Sequence, residues 1–277
     1  MCTLFLFINQ IKDIPILIIS NRDEYKKRKS NQINGWNRDL QFYANDIIAP
    51  RDEHKKGTWF ACQNKFNPKW AILTNIRYLK SYKEDLKSRG EIILDFLNSN
   101  NSAENYLNRL KKIAHEYNYF NLIFSDGEFI YYYHSKDHES KLLYKTGDNT
   151  KKLFGLSNGK LDSNWPKIKN TKKTFLTFLN HQNNKLKTFD DCWDYFKTEM
   201  SNNKTYDIAD LPNTGVPPEH EVFLSSLFIS SEIYGTNSTL LFGIQSDSSL
   251  HFHEQKYDIN SKMDSSKKMN IKFYTNE

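Results

Sequence analysis

The chain has only three cysteines, Cys2, Cys62 and Cys192, and no two of them stand in a C-x-x-C pair. An odd, dispersed set argues against a disulfide framework or a structural zinc site, and for a reducing compartment. Also missing is any apolar run near the ~20 residues that a membrane helix needs. The start of the chain carries two shorter runs, Thr3 to Ile8 and Ile14 to Ile19, broken by Asn9, Gln10, Lys12 and Asp13. A secretory signal would begin with positive charge and run through one apolar stretch to a small-residue cleavage site. The pattern here is two strands and a turn. The expectation is a soluble, cytoplasmic protein without a transmembrane segment.

Charge of one sign is lacking as well: 39 Lys+Arg stand against 33 Asp+Glu, a net +6 over 277 residues. That balance permits an anionic ligand and does not call for nucleic acid. No aromatic-basic RNA motif, zinc-finger spacing or basic helix accompanies it, so nucleic-acid binding is set aside. The eight His give no metal signature. His251 and His253 merely alternate along a strand, and His115 and His134 stand alone. No metal site and no required cofactor are expected.

What is present is a strongly patterned chain with 19 Phe and 16 Tyr. Continuous apolar runs at Cys2–Ile8 and Ile14–Ile19 fit strands covered on both faces. Thr58–Gln63 and Trp70–Asn75 follow as strands around a turn containing Pro68. Gly90–Phe96 and Ala103–Tyr117 carry helical spacing, the second with Ser102 as N-cap. Strands resume at Phe120–Phe124, Phe129–His134 and Leu153–Leu156. A second helix pair is marked by Trp165 to Leu179 and by Phe189 to Met200, with Thr188 as cap. Phe223–Ile229, Thr239–Ile244, Leu250–Gln255 and Ile271–Tyr274 complete the strands, and Ser201–Glu221 reads as a long ordered loop or lid. The order strands, helices, strands, helices, strands predicts an α+β protein. Its architecture would be a four-layer α-β-β-α sandwich of two mainly antiparallel sheets, in one domain over residues 1–277.

Cys2 is the candidate reactive residue. Removal of Met1 would leave its thiol beside a free α-amine of pKa about 7.7–8.0, able to take the thiol proton. The plain alternative is a small core residue of the first strand. A hairpin of the first two strands sets Cys2 across from Ser20 to Arg22, which brings Arg22 towards the thiol and Asp23 towards the amine. Asn21 and Glu24 flank them as candidate ligand-binding residues that also brace the turn. Asn75 and Asn158 each end a strand and are candidate oxyanion donors, or local turn formers. Trp59 is a pocket-lining candidate or a core aromatic. The run Lys26-Lys27-Arg28-Lys29 offers Arg28 and its neighbours to phosphate or carboxylate, or is plain solvated surface.

Met1-Cys2-Thr3-Leu4 and Ser20-Asn21-Arg22-Asp23-Glu24-Tyr25 resemble the opening of the Transport and Golgi organisation 2 family, also called the NRDE family. Further motifs lie in the family's order along almost the whole chain. They are Gly57-Thr58-Trp59, Leu73-Thr74-Asn75, Ser88-Arg89-Gly90-Glu91, Phe120-Asn121-Leu122, Gly155-Leu156-Ser157-Asn158, Trp165-Pro166 and Tyr234-Gly235-Thr236. The resemblance implies a fold of the N-terminal-nucleophile hydrolase type, in which an Arg and an Asp accompany the terminal Cys, and it makes Tyr234 a ligand-binding candidate. It also implies handling of haem, as cargo, or of an acyl-coenzyme A, a small amphipathic ligand. The alternative is a cysteine amidohydrolase or thioesterase that cleaves a C–N or thioester bond at Cys2. The family usually continues from Tyr-Gly-Thr into an Arg; here Asn237 follows Thr236.

Overall fold

A computed structural model describes residues 2–36, 47–182 and 185–273. The chain divides into two compact units, residues 1–27 with 149–277, and residues 28–148. Each is built around one antiparallel sheet with helices packed on it, which makes the protein α+β as its element order predicts.

In the first unit, β1 (Cys2–Ile11) and β2 (Ile14–Tyr25) form the expected hairpin, buried almost throughout. The other strands are β10 (Lys152–Leu156), β11 (Tyr234–Ile244), β12 (Leu250–Tyr257) and β13 (Met263–Ile271), in the sheet order β10-β1-β2-β11-β12-β13. Helices α3 (Pro166–Gln182) and α4 (Phe189–Met200) cover one face. Phe5, Phe7, Phe175 and Phe196 interlock there, with Phe5 and Phe175 edge-on at 5.0 Å. The Thr188 hydroxyl accepts from the Asp191 amide while the Asp191 carboxylate accepts from the Thr188 amide, a capping box that fixes where α4 begins.

His253 of β12 stacks on Trp193 of α4 at 3.6 Å and pairs with the Ser266 hydroxyl at 2.9 Å. Burial lowers its pKa from 6.5 to about 4. The unfolded chain therefore binds this proton more tightly, so the contribution is whole above about 6.5 and is lost as pH falls towards 4. After discounting for solvent screening, that acid limb amounts to roughly 1–2 kcal/mol. His253→Phe keeps the stack, and melts at pH 7 and pH 4.5 should show a smaller acid loss than in wild type. An equal loss in both proteins would place the acid sensitivity elsewhere.

The second unit has the order β3 (Ser30–Gly35), β4 (Ile47–Asp52), β5 (Phe60–Gln63), β6 (Trp70–Asn75), β7 (Phe120–Ser125), β8 (Phe129–His134) and β9 (Glu139–Lys145). Helices α1 (Gly90–Asn98) and α2 (Ala103–Ile113) pack on it through Phe96, Tyr106 and Phe124. Ser102 caps α2 by accepting from the Asn105 amide, as its sequence predicts. The helix stops at Ile113, and Ala114–Glu116 continues as a 3-10 turn rather than an α-helix to Tyr117.

Two strand expectations are corrected. Phe223–Ile229 is not a strand: α5 (Pro218–Phe223) ends within it, and residues 224–229 run irregularly. Their burial explains the apolar run, but backbone groups there are satisfied by side chains and by isolated backbone bonds rather than by a ladder. The last strand, β13, lies earlier than Ile271–Tyr274 and ends at Ile271; Tyr274 lies outside the described residues. Its sequence is polar because β13 is an edge strand with alternate positions in water. In the segment 201–221, a 3-10 turn at Ile208–Asp210 precedes α5.

Candidate functional site

Three neighbouring strands bring the first-unit candidates together. The hairpin register pairs Cys2 with Arg22 and Thr3 with Asn21. On the other side of β2, β11 sets Ser238 opposite Arg22 and Thr236 opposite Asp23, with Asn237 bulged out of register between them. Cys2, Arg22 and Asp23 are all buried, at 8%, 5% and 1% exposure. The Thr236 hydroxyl donates to Asp23 Oδ1 at 2.7 Å, and the Tyr234 hydroxyl donates to the Asp23 carbonyl at 3.1 Å. Glu24 lies 3.8 Å from the Arg22 guanidinium.

Asn158 reaches Cys2 through one intermediary. The Ser157 hydroxyl stands 3.2 Å from the Cys2 carbonyl, 3.0 Å from the Thr3 hydroxyl and 3.3 Å from Asn158 Oδ1. Asn21 is committed to the protein: its amide donates to the Met200 and Leu227 carbonyls at 2.8 and 2.9 Å, and its Oδ1 accepts from Thr239 at 2.7 Å. Lys26, the first of the basic run, donates to the carbonyls of Thr236 and Asp258. Lys27 and Lys29 are exposed, and Arg28 pairs with Asp52 at 2.8 Å. Asn75, Trp59 and Arg28 belong to the second unit: Asn75 ends β6, and Trp59 is buried ahead of β5 with its carbonyl accepting from Leu73.

The electrostatics are those of a dry site. Burial pushes the Cys2 thiol up, with Asp23 adding to the rise and Arg22 opposing it. Burial likewise raises Asp23, and the strongest opposing charge is that of Lys167. Burial drives Tyr234 well above its ordinary value, so it stays a phenol.

Lys167 is a residue the sequence reading passed over. It sits in the first turn of α3, next to the Trp165-Pro166 motif, and is 3% exposed. A cation there opposes the helix dipole by about 0.3–1 kcal/mol, and no acidic residue of that turn offsets it. A lysine at the wrong end of a helix is the signal that could have marked it. Its ammonium donates to the carbonyls of Leu224 and Ser226 at 2.9 and 3.4 Å.

The motif residues and their order agree with a family comparison. A family model described as Transport and Golgi organisation 2 matches residues 1–259. The chain belongs to the Transport and Golgi organisation 2 family. A Mus musculus "Transport and Golgi organization 2 homolog" is 22% identical over 253 residues, covering 87% of this chain and 86% of the relative. Bos taurus and Homo sapiens proteins named "Transport and Golgi organization protein 2 homolog" are 30% and 31% identical over 170 residues, 58% of this chain and 56% of each relative.

Not every Transport and Golgi organisation 2 motif belongs to a site. Gly57 and Gly90 let two backbones touch: a Cβ on Gly90 would lie 2.8 Å from the Thr58 amide nitrogen. In Tyr234-Gly235-Thr236 the flanking residues reach Asp23, whereas a Cβ on Gly235 would meet the Ile229 carbonyl oxygen at 2.6 Å. That carbonyl is pinned by accepting from the Thr236 amide, so it cannot yield cheaply. Gly235→Ala should cost about 2–3 kcal/mol by overpacking, read as an earlier denaturant midpoint. An unshifted midpoint would mean that residues 224–229 move freely.

Proposed function

We propose that this family member handles an amphipathic acyl ligand at the Cys2 centre, with the Cys2 thiol accepting the acyl group from a thioester or amide. The observation that supports it best is the register that sets Cys2 opposite Arg22 and next to Asp23 at a buried strand end. Met1 lies outside the described residues; its removal gives Cys2 a free α-amine. That amine takes the thiol proton, and the Arg22 cation favours the thiolate. Sulfur attacks the acyl carbon and a new C–S bond forms. Asn158 stabilises the oxyanion, and the leaving thiol or amine departs with the proton. Water then releases the carboxylic acid and regenerates the thiol. Palmitoyl-coenzyme A provides the test, with free coenzyme A thiol and the intact protein mass as readouts. An acyl adduct on the Cys2 peptide supports the reading. Coenzyme A release that Cys2→Ala leaves unchanged removes it.

A carrier reading is favoured by two observations. Burial holds the Cys2 thiol protonated, and Asn237, which donates to the Tyr25 carbonyl, follows Thr236 where the family pattern has Arg. On this reading haem or acyl-coenzyme A is cargo and is released unchanged. Neither reading requires a cofactor. Titration with haem and with palmitoyl-coenzyme A distinguishes them, since a carrier saturates without consuming its ligand. The family's name supports a role in transport and Golgi organisation. Among the described residues no helix is long and apolar enough to cross a membrane, and the three cysteines are free. Both facts are compatible with action in the cytoplasm.

A further inference from the structure

Lys167 has no part in the chemistry just described, yet it is a buried ammonium with two carbonyl partners on the segment that borders the Cys2 centre. That segment, residues 224–229, is fastened from three elements. Lys167 of α3 holds Leu224 and Ser226, and Asn21 of β2 holds the Leu227 carbonyl. Thr236 of β11 holds Ile229 twice, its hydroxyl accepting from the Ile229 amide at 3.0 Å and its own amide donating to the Ile229 carbonyl at 2.8 Å. The same Thr236 hydroxyl donates to Asp23. Lys167 therefore fixes one end of this segment, and the other end, Ile229, is tied through Thr236 to Asp23.

We propose that Lys167 is a positioning residue of the Cys2 centre: its buried ammonium fixes residues 224–229 through the Leu224 and Ser226 carbonyls and, through Ile229 and Thr236, holds the Asp23 carboxyl in place. Its meaning for function rests on the Cys2 reading above, but its test needs no turnover, so either can fail while the other stands. The charged and titratable groups that act on Asp23 include Cys2 of β1, Arg22 on β2, Tyr234 of β11, Lys26 and Lys167 of α3. Burial raises the Asp23 pKa, and Lys167 is the strongest of the charges that oppose that rise.

A carboxyl whose folded pKa is raised contributes most at low pH, and its contribution is lost as pH rises through the folded value. Removing the Lys167 charge raises that value further, so the loss deepens and extends to higher pH. Thermal melts of the full chain between pH 5 and pH 8 test this in wild type, Lys167→Met, Asp23→Asn and the double variant. Lys167→Met is expected to lose roughly 4 °C more than wild type as pH rises, and Asp23→Asn is expected to remove that extra slope. Parallel profiles for wild type and Lys167→Met overturn the proposal. So does an extra slope that persists in the double variant. Should Lys167→Met not fold, Lys167→Gln keeps amide donors for Leu224 and Ser226 while losing the charge, and the same comparison applies.

Discussion

Cys2→Ala should abolish acyl transfer, lowering coenzyme A release from palmitoyl-coenzyme A by about 10³-fold or more, the scale on which enzymes lose rate when their nucleophile is removed. The fold should survive, because the side chain is small and sits at the end of β1, away from the Phe5–Phe175–Phe196 core. Saturable ligand binding should survive too, which separates loss of chemistry from loss of the site. Iodoacetamide provides a substrate-free check: labelling at Cys2 should rise with pH, and should outpace Cys62, whose thiol burial alone lifts well above its ordinary value. Unchanged coenzyme A release in Cys2→Ala would transfer any hydrolysis to another group and leave the carrier reading in the lead.

Asn21→Leu should be the most damaging single change near the site. Leucine matches the shape but withdraws both donors from the Met200 and Leu227 carbonyls and the acceptor from Thr239. Each buried polar group left without its partner costs about 1–3 kcal/mol, so the total should reach roughly 3–5 kcal/mol and a Tm fall on the order of 10 °C. Chemical denaturation gives the free energy directly. Amide exchange at Phe228, whose N–H donates to Asn202 at 2.9 Å, should accelerate with it. A loss below about 1 kcal/mol would show that these carbonyls find other partners, and that Asn21 does not latch the segment.

The parts legible in the sequence were those where one physical demand dominates. Cys2–Ile8 and Ile14–Ile19 were legible as buried strands because each apolar run is too short for a helix and a turn separates them, and their hairpin register follows from that short turn. The caps at Ser102 and Thr188 were equally plain. Ser30–Gly35, Glu139–Lys145 and Met263–Ile271 went unseen because each lies at the edge of a sheet, where water accepts every second residue and the apolar signal fades. Phe223–Ile229 misled for the opposite reason: it is apolar and buried, but the Leu224, Ser226 and Leu227 carbonyls are met by the Lys167 and Asn21 side chains rather than by a ladder. Within the site, Cys2, Arg22 and Asp23 could be read from the hairpin alone. Lys167 could not, since its role depends on a helix folding back over 140 residues later.

That separation has a consequence for synthesis on the ribosome. The β1–β2 hairpin needs β10 on one side and β11 on the other, and Ser20 finds Leu240 only after the whole second unit has been made. At about 5–20 residues per second, the β2 edge waits on the order of 10–40 s for β11, and the β1 edge stays unpaired for the first part of that time, until β10 is made. During that interval it is a ready template for another nascent chain, and the completed first unit is a product of long-range closure that folds slowly. Residues 28–148, by contrast, carry all their sheet partners in one continuous stretch and can close as soon as they leave the tunnel. Expression at lower temperature, or with a holding chaperone in excess, should therefore favour soluble protein by sheltering this one hairpin.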